Sequence, residues 1–201
     1  MANAFVTYGG WEGHDPAGCS EWCRQVLEAE GFDVDVADTL APLADPGYAD
    51  RLDLVIPVWS LVELPETEVD ALVAAVSGGV GFAAFHGAAA TFMTHRAYRQ
   101  LIGGTFVWHP DERKFLVDTR RGDSFAVSTE QYYLHVDPAN EVVATTSFEH
   151  GALMPVAWKR THEQGRVFYS ALGHSRAVLE LQPVRDLFVQ GVRWAARQPD
   201  E

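Results

Sequence analysis

The sequence predicts an α/β protein: a doubly wound parallel sheet with helices on both faces and an antiparallel extension. In the first half of the chain, apolar strand-like runs alternate with segments of helical periodicity. After that, short strand-like runs follow one another without intervening helices, and the chain closes on a helix-like segment. Alternation with short connections is typical of βαβ units. The antiparallel extension therefore falls at about residues 105–150.

The first half contains four predicted strands and three predicted helices. The strands are residues 4–8, 32–36, 53–58 and 80–85, and the helices are residues 20–29, 65–76 and 92–102. The last two strands are nearly continuous apolar runs, which is the pattern of strands buried on both faces of a parallel sheet. Pro65 at the first turn favours a helix start, and Gly103 favours a helix end.

The second half is predicted to be mostly antiparallel. Its strands are residues 106–108, 115–118, 132–136, 142–145, 154–160 and 166–171, and its helix is residues 184–196. The last two strands flank Glu163-Gln164-Gly165, a turn typical of a hairpin. No linker, repeat or biased segment interrupts the sequence, so we expect a single domain over residues 1–201.

Composition and charge narrow the class of partner. The chain has 201 residues, 28 of them acidic and 15 basic, which gives a net charge of −13. Such a molecule repels phosphate backbones and anionic lipid, so we expect neither a nucleic acid nor a membrane partner. The apolar runs fall short of the ~20 residues that a spanning helix needs. Residues 1–8 carry no basic leader, which favours a cytoplasmic protein.

The two cysteines are predicted to be packing residues. Cys19 and Cys23 lie four residues apart in a helix-like segment, and therefore on one face of it. A disulfide there would constrain almost nothing. Free buried thiols fit a reducing compartment.

Ligands of open α/β sheets bind at the carboxyl ends of the strands. The glycine-rich loop at residues 9–14 follows the first strand and allows a close backbone approach to a ligand. Its glycine spacing matches neither the dinucleotide-binding fingerprint nor a P-loop. We predict that Gly10, Trp11 and His14 contact the substrate.

His86 follows an apolar strand and precedes a run of small residues, the sequence pattern of a nucleophile elbow. The serine or cysteine that usually forms the covalent bond is missing there. We therefore expect the imidazole of His86 to carry the chemistry.

Further titratable residues also follow strands or share an extended piece. His109 and His174 each end an apolar run, and Glu130 and Tyr132 share one face if their segment is extended. Such a set is suited to general acid and base work. We expect His86 and Glu130 to be acid and base and Tyr132 to donate a hydrogen bond. His14, His109 and His174 would orient the substrate.

A metal site is the alternative for the same residues. Neutral imidazole is a common zinc ligand, so His86, His109 and His174 could hold a divalent metal such as zinc. No short ligand spacing such as HExxH supports this.

The remaining histidines and the tryptophans have different predicted positions. His95, His150 and His162 are expected at the surface. Four tryptophans fall near strand ends or loops, and one or two of them are expected to reach a ligand: Trp11, Trp59, Trp108 and Trp158. Aromatic faces beside carboxylates and imidazoles suit a sugar.

Several motifs together resemble the ThuA-like (trehalose utilisation) family. They are GGWEGH at 9–14, GFAAFHGAA at 81–89, YRQLIGGTFVWHP at 98–110, EQY at 130–132, PVAWKRTHEQGRVFYSALGHS at 155–175 and GVRWA at 191–195. The resemblance implies a flavodoxin-like core of the class I glutamine amidotransferase type. It also implies action on trehalose-type disaccharides and their keto derivatives. The family commonly has Asp before Glu130, where this chain has Thr129.

The amidotransferases of that superfamily carry cysteine at the elbow, where this chain has His86. We therefore predict a carbohydrate-processing enzyme that is not a glutamine amidotransferase. A non-catalytic sugar-binding or regulatory protein is one alternative, and a metal-dependent hydrolase is the other. A homodimer is the expected assembly, because it is the commonest closed symmetry.

Overall fold

A computed structural model describes residues 2–197. Its strands are β1 (Ala2–Gly10), β2 (Phe32–Ala37), β3 (Leu54–Ser60), β4 (Gly81–Phe85), β5 (Gly104–Trp108), β6 (Arg113–Thr119), β7 (Ser124–Thr129), β8 (Tyr133–Val136), β9 (Glu141–Ser147), β10 (Leu153–His162) and β11 (Gly165–Ser170). Its α-helices are α1 (Pro16–Ala29), α2 (Pro46–Ala49), α3 (Glu66–Ser77), α4 (Arg96–Ile102), α5 (Arg176–Leu179) and α6 (Gln182–Ala195). No helix in this range is long and apolar enough to cross a membrane.

The parallel part of the sheet has the predicted doubly wound order. Strands β2-β1-β3-β4-β11 are all parallel to their neighbours. This is the 2-1-3-4-5 order of flavodoxin-like proteins, with β11 as the fifth strand. The fold class predicted from the sequence is confirmed.

The antiparallel part continues the same sheet. Strands β10, β9, β6 and β7 follow β11 in that order, each antiparallel to its neighbour. The predicted hairpin, β10 with β11, therefore joins the two halves. Strands β5 and β8 form a separate antiparallel pair.

Two apolar cores cover the two faces of the sheet. Alternate residues of a strand point to opposite faces, so Phe5 joins one core and Val6 the other. Helices α3 and α4 pack on the Phe5 side, whereas α1 and α6 pack on the Val6 side. Both cysteines of α1 lie in the second core, at 1% and 0% exposure, as predicted.

The sequence-based elements differ from the structure in several places: the short helices α2 and α5 were not predicted, and α1 begins at Pro16, four residues earlier than predicted. Residues 92–102 were predicted as one helix, but α4 begins only at Arg96. A 3₁₀ turn at His86–Ala90 follows β4 directly, and the chain between this turn and α4 forms bends and turns. Strand β7 was not predicted: half of its residues are Ser or Thr, and most are exposed or half-buried, as expected at a sheet edge.

Candidate active site

The loop after β1 brings His14 to the carboxyl edge of the sheet. Gly10 has a φ of 89°, and a Cβ there would lie 2.1 Å from the Ser60 carbonyl oxygen, so only glycine fits. Trp11 N–H donates to that carbonyl at 3.0 Å, which holds the loop against β3. The sequence predicted a close approach of this loop to a ligand; in the structure, the backbone of Gly10 closely approaches β3. His14 ends the 3₁₀ turn Glu12–His14 that follows.

The segment after β4 forms the predicted sharp turn. His86 has a φ of 43°, in the left-handed region, and is 2% exposed. Its Nδ1 lies 3.1 Å from the Ala171 carbonyl oxygen, and its own carbonyl accepts a hydrogen bond from Tyr169 at 2.8 Å. Since a carbonyl can only accept, Nδ1 carries the proton, and Nε2 presents its lone pair to the site.

Glu130 and Tyr132 lie between β7 and β8, and both reach His86. The Tyr132 hydroxyl is 2.9 Å and Glu130 Oε2 is 3.1 Å from His86 Nε2. Between them, Gln131 points the other way and is anchored by Arg113 and by Thr146 of β9. This anchoring places its two neighbours on the same face, as predicted from the sequence.

His109 and His174 approach Glu130 from loops that follow β5 and β11. His174 Nδ1 lies 3.3 Å from His86 Nε2 and 3.4 Å from Glu130 Oε2. His109 Nε2 lies 3.4 Å from the other carboxylate oxygen, Oε1. His14 packs its ring against both His86 and His174, with centroids 4.8 and 5.1 Å apart.

We call His14, His86, Glu130, Tyr132 and His174 the His86 cluster. His109 borders it on the side of Glu130 Oε1. Exposure increases outward, from 2% for the His86 side chain to 11% for Glu130, 19% for His174 and 34% for His109. The cluster therefore has a closed inner end and a solvent-facing rim.

The protonation states follow from burial and from neighbouring charges. Burial and the nearby His86 and His174 lower the pKa of His14 to about 4. Burial also lowers the pKa of His86, despite its contact with Glu130. Burial alone would raise the pKa of Glu130, but the histidines beside it hold that pKa far below its usual range. The same contact raises the pKa of His174. At neutral pH Glu130 is thus anionic and next to an imidazole that favours its protonated form.

Two polar atoms of the cluster are buried without a hydrogen-bond partner among the described residues. They are Glu130 Oε2 and His14 Nδ1. Glu130 Oε2 is close to two imidazole nitrogens but is not aligned with either as in a hydrogen bond. Buried polar atoms in proteins are usually paired, so this arrangement has the form of a binding site.

The group of side chains that could hold a metal ion in this region differs from the predicted set. His14, His86, Glu130 and His174 each offer a ligand atom, and these four atoms lie within 4.8 Å of one another. His109, one of the predicted ligands, is outside this group because its Nε2 faces the other oxygen of Glu130.

Two of the four candidate tryptophans are exposed. Trp11 is 50% exposed and packs edge-on against His14, with centroids 4.7 Å apart. Trp108 is 41% exposed and stacks on Tyr133. Trp59 and Trp158 are buried core residues.

The other histidines lie apart from the cluster. His150 is exposed as predicted, but His95 is not a surface residue: its side chain is 8% exposed. His95 Nδ1 accepts the Tyr98 N–H and so caps α4, while its Nε2 contacts Asp70. His162, the last residue of β10, is half-buried rather than exposed. His135 is exposed on β8.

Two residues near the cluster were not predicted from the sequence. Glu112 Oε1 lies 3.6 Å from His174 Nε2, and Glu112 follows His109 by three residues in the same loop. Ser60, at the carboxyl end of β3, has a buried hydroxyl without a partner among the described residues and lines a small cavity with His14 and His86. The position of Ser60 at the carboxyl end of a predicted parallel strand could have identified it as a candidate site residue.

The fold and this site define a flavodoxin-like α/β protein with a histidine–carboxylate cluster at the carboxyl edge of its sheet. A family model described as trehalose utilisation (ThuA) matches residues 3–195, and the chain belongs to this family. No curated protein matches the chain.

Solved structures share the fold at low sequence identity. A ThuA-like protein from Parabacteroides merdae ATCC 43184 has a TM-score of 0.81 and 16% identity, covering 100% of this chain and 92% of its own. One from Bacteroides uniformis ATCC 8492 has a TM-score of 0.76 and 19% identity, covering 96% and 91%. A β-galactosidase from Rahnella sp. R3 has a TM-score of 0.68 and 17% identity, and the match covers 98% of this chain but 32% of the β-galactosidase.

Proposed function

We propose that this protein is an enzyme that modifies a carbohydrate, with the His86 cluster and His109 as its reaction centre. The observation that carries the proposal is that one carboxylate, Glu130, contacts three histidines from three different loops at the carboxyl edge of the sheet. Family membership supports a carbohydrate substrate. A reactive carboxylate beside imidazoles supports chemistry in addition to binding.

The degree of burial supports a division of roles within the site. His86 is enclosed, because Tyr132, Glu130 and His174 surround its Nε2. A sugar cannot reach that nitrogen directly. We therefore assign proton transfer to the exposed His109, with Glu130 as its partner. His86 and Tyr132 hold the inner end of the site.

A keto sugar is the substrate that this arrangement suits best. Removing a proton from the carbon next to the ketone breaks a C–H bond and leaves negative charge on the ketone oxygen. His109 would accept the proton on Nε2, and Glu130 Oε1, 3.4 Å away, would stabilise the imidazolium. Contact with Glu130 raises the pKa of His174, and in its protonated form His174 would offset the charge on the oxygen.

The rim offers a surface for a sugar ring. Trp11 is half exposed and lies edge-on to His14, so one face of its indole is available beside the cluster. Aromatic faces suit the apolar faces of sugar rings. We therefore assign Trp11 to substrate binding, together with His14 and His174.

Deuterium exchange tests the proposal directly. The protein is incubated in D2O with trehalose and with its keto derivative, and both are followed by NMR. We expect a deuteron to replace the abstracted proton next to the ketone of the keto derivative, and no exchange in trehalose, which has no ketone. His109→Ala and Glu130→Gln should each lower the rate by about 100-fold or more. His135→Ala, an exposed histidine outside the site, should not change it. Saturable sugar binding with no exchange and no product would instead identify a sugar-binding or regulatory protein.

We propose a cytoplasmic location from the state of the cysteines. Both cysteines are free and buried, which suits a reducing compartment.

Burial raises the pKa of the Cys19 thiol to about 12 and that of Cys23 well above its usual value, so neither supplies a thiolate. Since His86 occupies the elbow, this also supports a reaction other than glutamine amide transfer.

A further inference from the structure

The His86 cluster has the spacing of a metal coordination shell. His86 Nε2, His174 Nδ1 and Glu130 Oε2 are separated by 3.1, 3.3 and 3.4 Å. Four ligands at the 2.0–2.1 Å typical of zinc lie about 3.3 Å from one another when they are tetrahedral. The three observed separations agree with that value. His14 supplies the fourth donor, with all four ligand atoms within 4.8 Å of one another.

The hydrogen-bond inventory indicates a missing positive charge. His86 donates its only proton through Nδ1 to Ala171, so its Nε2 presents a lone pair, which accepts from the Tyr132 hydroxyl and also lies 3.1 Å from the carboxylate oxygen Glu130 Oε2. A lone pair and a carboxylate oxygen at this distance repel each other, and a cation between them would remove the repulsion. Glu130 Oε2 and His14 Nδ1 are buried and unpartnered among residues 2–197. A metal ion would satisfy this set of acceptors.

Outer contacts fix the orientation of three of the four donors. The Ala171 carbonyl holds His86, Glu112 lies 3.6 Å from the far nitrogen of His174, and His109 lies 3.4 Å from the second oxygen of Glu130. Metal-binding histidines almost always contact a carbonyl or carboxylate through their other nitrogen. His86 and His174 both do so here.

We infer that the His86 cluster binds one divalent transition-metal ion of the zinc type, through His14, His86, Glu130 and His174. Three imidazoles and one carboxylate suit zinc and its neighbours, whereas magnesium and calcium prefer all-oxygen sites. Ion binding replaces the hydrogen bond from Tyr132 to His86 Nε2. The Tyr132 hydroxyl is then free to donate to a substrate oxygen.

The inference deepens the proposed function, because a cation here would take over from His174 the polarisation of the substrate oxygen. His109 stays outside the group of ligands. The proton-transfer role proposed for it is unchanged. Metal binding is nevertheless measured without any turnover, so the two proposals can fail separately.

The test uses the full chain purified without a histidine tag. After treatment with a chelator, it is titrated with Co²⁺ and Zn²⁺ by absorption spectroscopy and calorimetry. We expect one ion per chain and the intense visible absorption of tetrahedral cobalt. His174→Ala and Glu130→Ala should each weaken binding by more than about tenfold, the smallest effect expected even for an outer-contact residue. His135→Ala, a histidine on β8 outside the cluster, should bind as the unaltered chain does.

Two results would overturn the inference. One is the absence of saturable binding to the correctly folded chain. The other is binding that neither His174→Ala nor Glu130→Ala weakens, since the ion would then lie elsewhere. Using two variants keeps the test valid if one of them does not fold. Deuterium exchange at full rate in the presence of chelator would leave the proposed function standing and remove the metal from it.

Discussion

His86 occupies a strained backbone position, and the surrounding structure maintains it. A left-handed conformation in a non-glycine residue costs on the order of 1–3 kcal/mol and persists only where other contacts enforce it. Here β11 and the residue after it enforce it: Ala171 accepts from the ring, and Tyr169 donates to the backbone carbonyl. The tautomer and the orientation of the imidazole follow from these two contacts. Backbone strain at this residue therefore serves to aim Nε2 at Glu130.

Tyr169→Phe tests this anchoring. It removes the donor to the buried His86 carbonyl, so we expect the free energy of unfolding to fall by about 1–3 kcal/mol. Cobalt binding or deuterium exchange should weaken as well, because the elbow loses one of its two anchors. Urea unfolding measures the first effect. Tyr8→Phe is the control, because no hydrogen bond to the Tyr8 hydroxyl is found in residues 2–197. Equal stability of the two variants would argue against the anchoring role.

At the scale of the elements, short polar connections decide where the site residues lie. Gln131 fixes the segment between β7 and β8 by its bonds to β6 and β9, and this places Glu130 and Tyr132 on His86. The loop between β8 and β9 is fixed in a comparable way. Asp137 pairs with Arg160 of β10 at 3.1 Å, and Asn140 donates to the carbonyl of Gly103, which lies between α4 and β5. These contacts tie the β5–β8 pair to the main sheet.

Asp137→Ala tests the second of these connections through its pH dependence. The Ala139 N–H and Arg160 lower the pKa of Asp137 in the folded chain. A carboxyl with a lowered folded pKa stabilises the fold above its unfolded pKa, and this stabilisation is lost as the pH falls through the folded value. The pair is partly exposed, so we expect a loss of at most about 1 kcal/mol at neutral pH.

The difference between the two chains should shrink as the pH falls below about 4. Urea unfolding at a series of pH values provides the measurement. A difference that stays constant into the acid range would show that the effect of Asp137 is not one of charge.

At the scale of the whole molecule, the central parallel strands and the β10–β11 hairpin were predictable, and the pairings between strands distant in sequence were not. The apolar runs at β3 and β4 directly indicate buried central strands. Nothing local tells that β11 adds to β4, or that β9 pairs with β6, because these contacts join residues far apart in sequence. The homodimer stays a prediction.

The residues of the candidate site were likewise predictable only in part. His14, His86 and His174 were found because the ends of parallel strands meet at one edge of the sheet. Glu112 was missed, since its loop carries no periodicity. The choice of His14 over His109 as a metal ligand depends on side-chain directions that the sequence pattern does not contain.

A second concave surface, larger than the cavity at the His86 cluster, is the alternative place for a sugar to bind. A groove of about 750 Å³ runs between α6 and the outer face of the antiparallel strands, lined by Arg120, Lys159 and Trp194 among others. An aromatic ring beside charged groups could also receive a sugar. The position of the bound sugar therefore decides between the two surfaces.

The most direct measurement is a crystal structure of the tag-free protein soaked with trehalose or its keto derivative. We expect density for the sugar beside Trp11 and His109, with an oxygen directed at the His86 cluster. Sugar bound in the groove at Trp194, with none at the cluster, would show that the cluster is not the reaction centre.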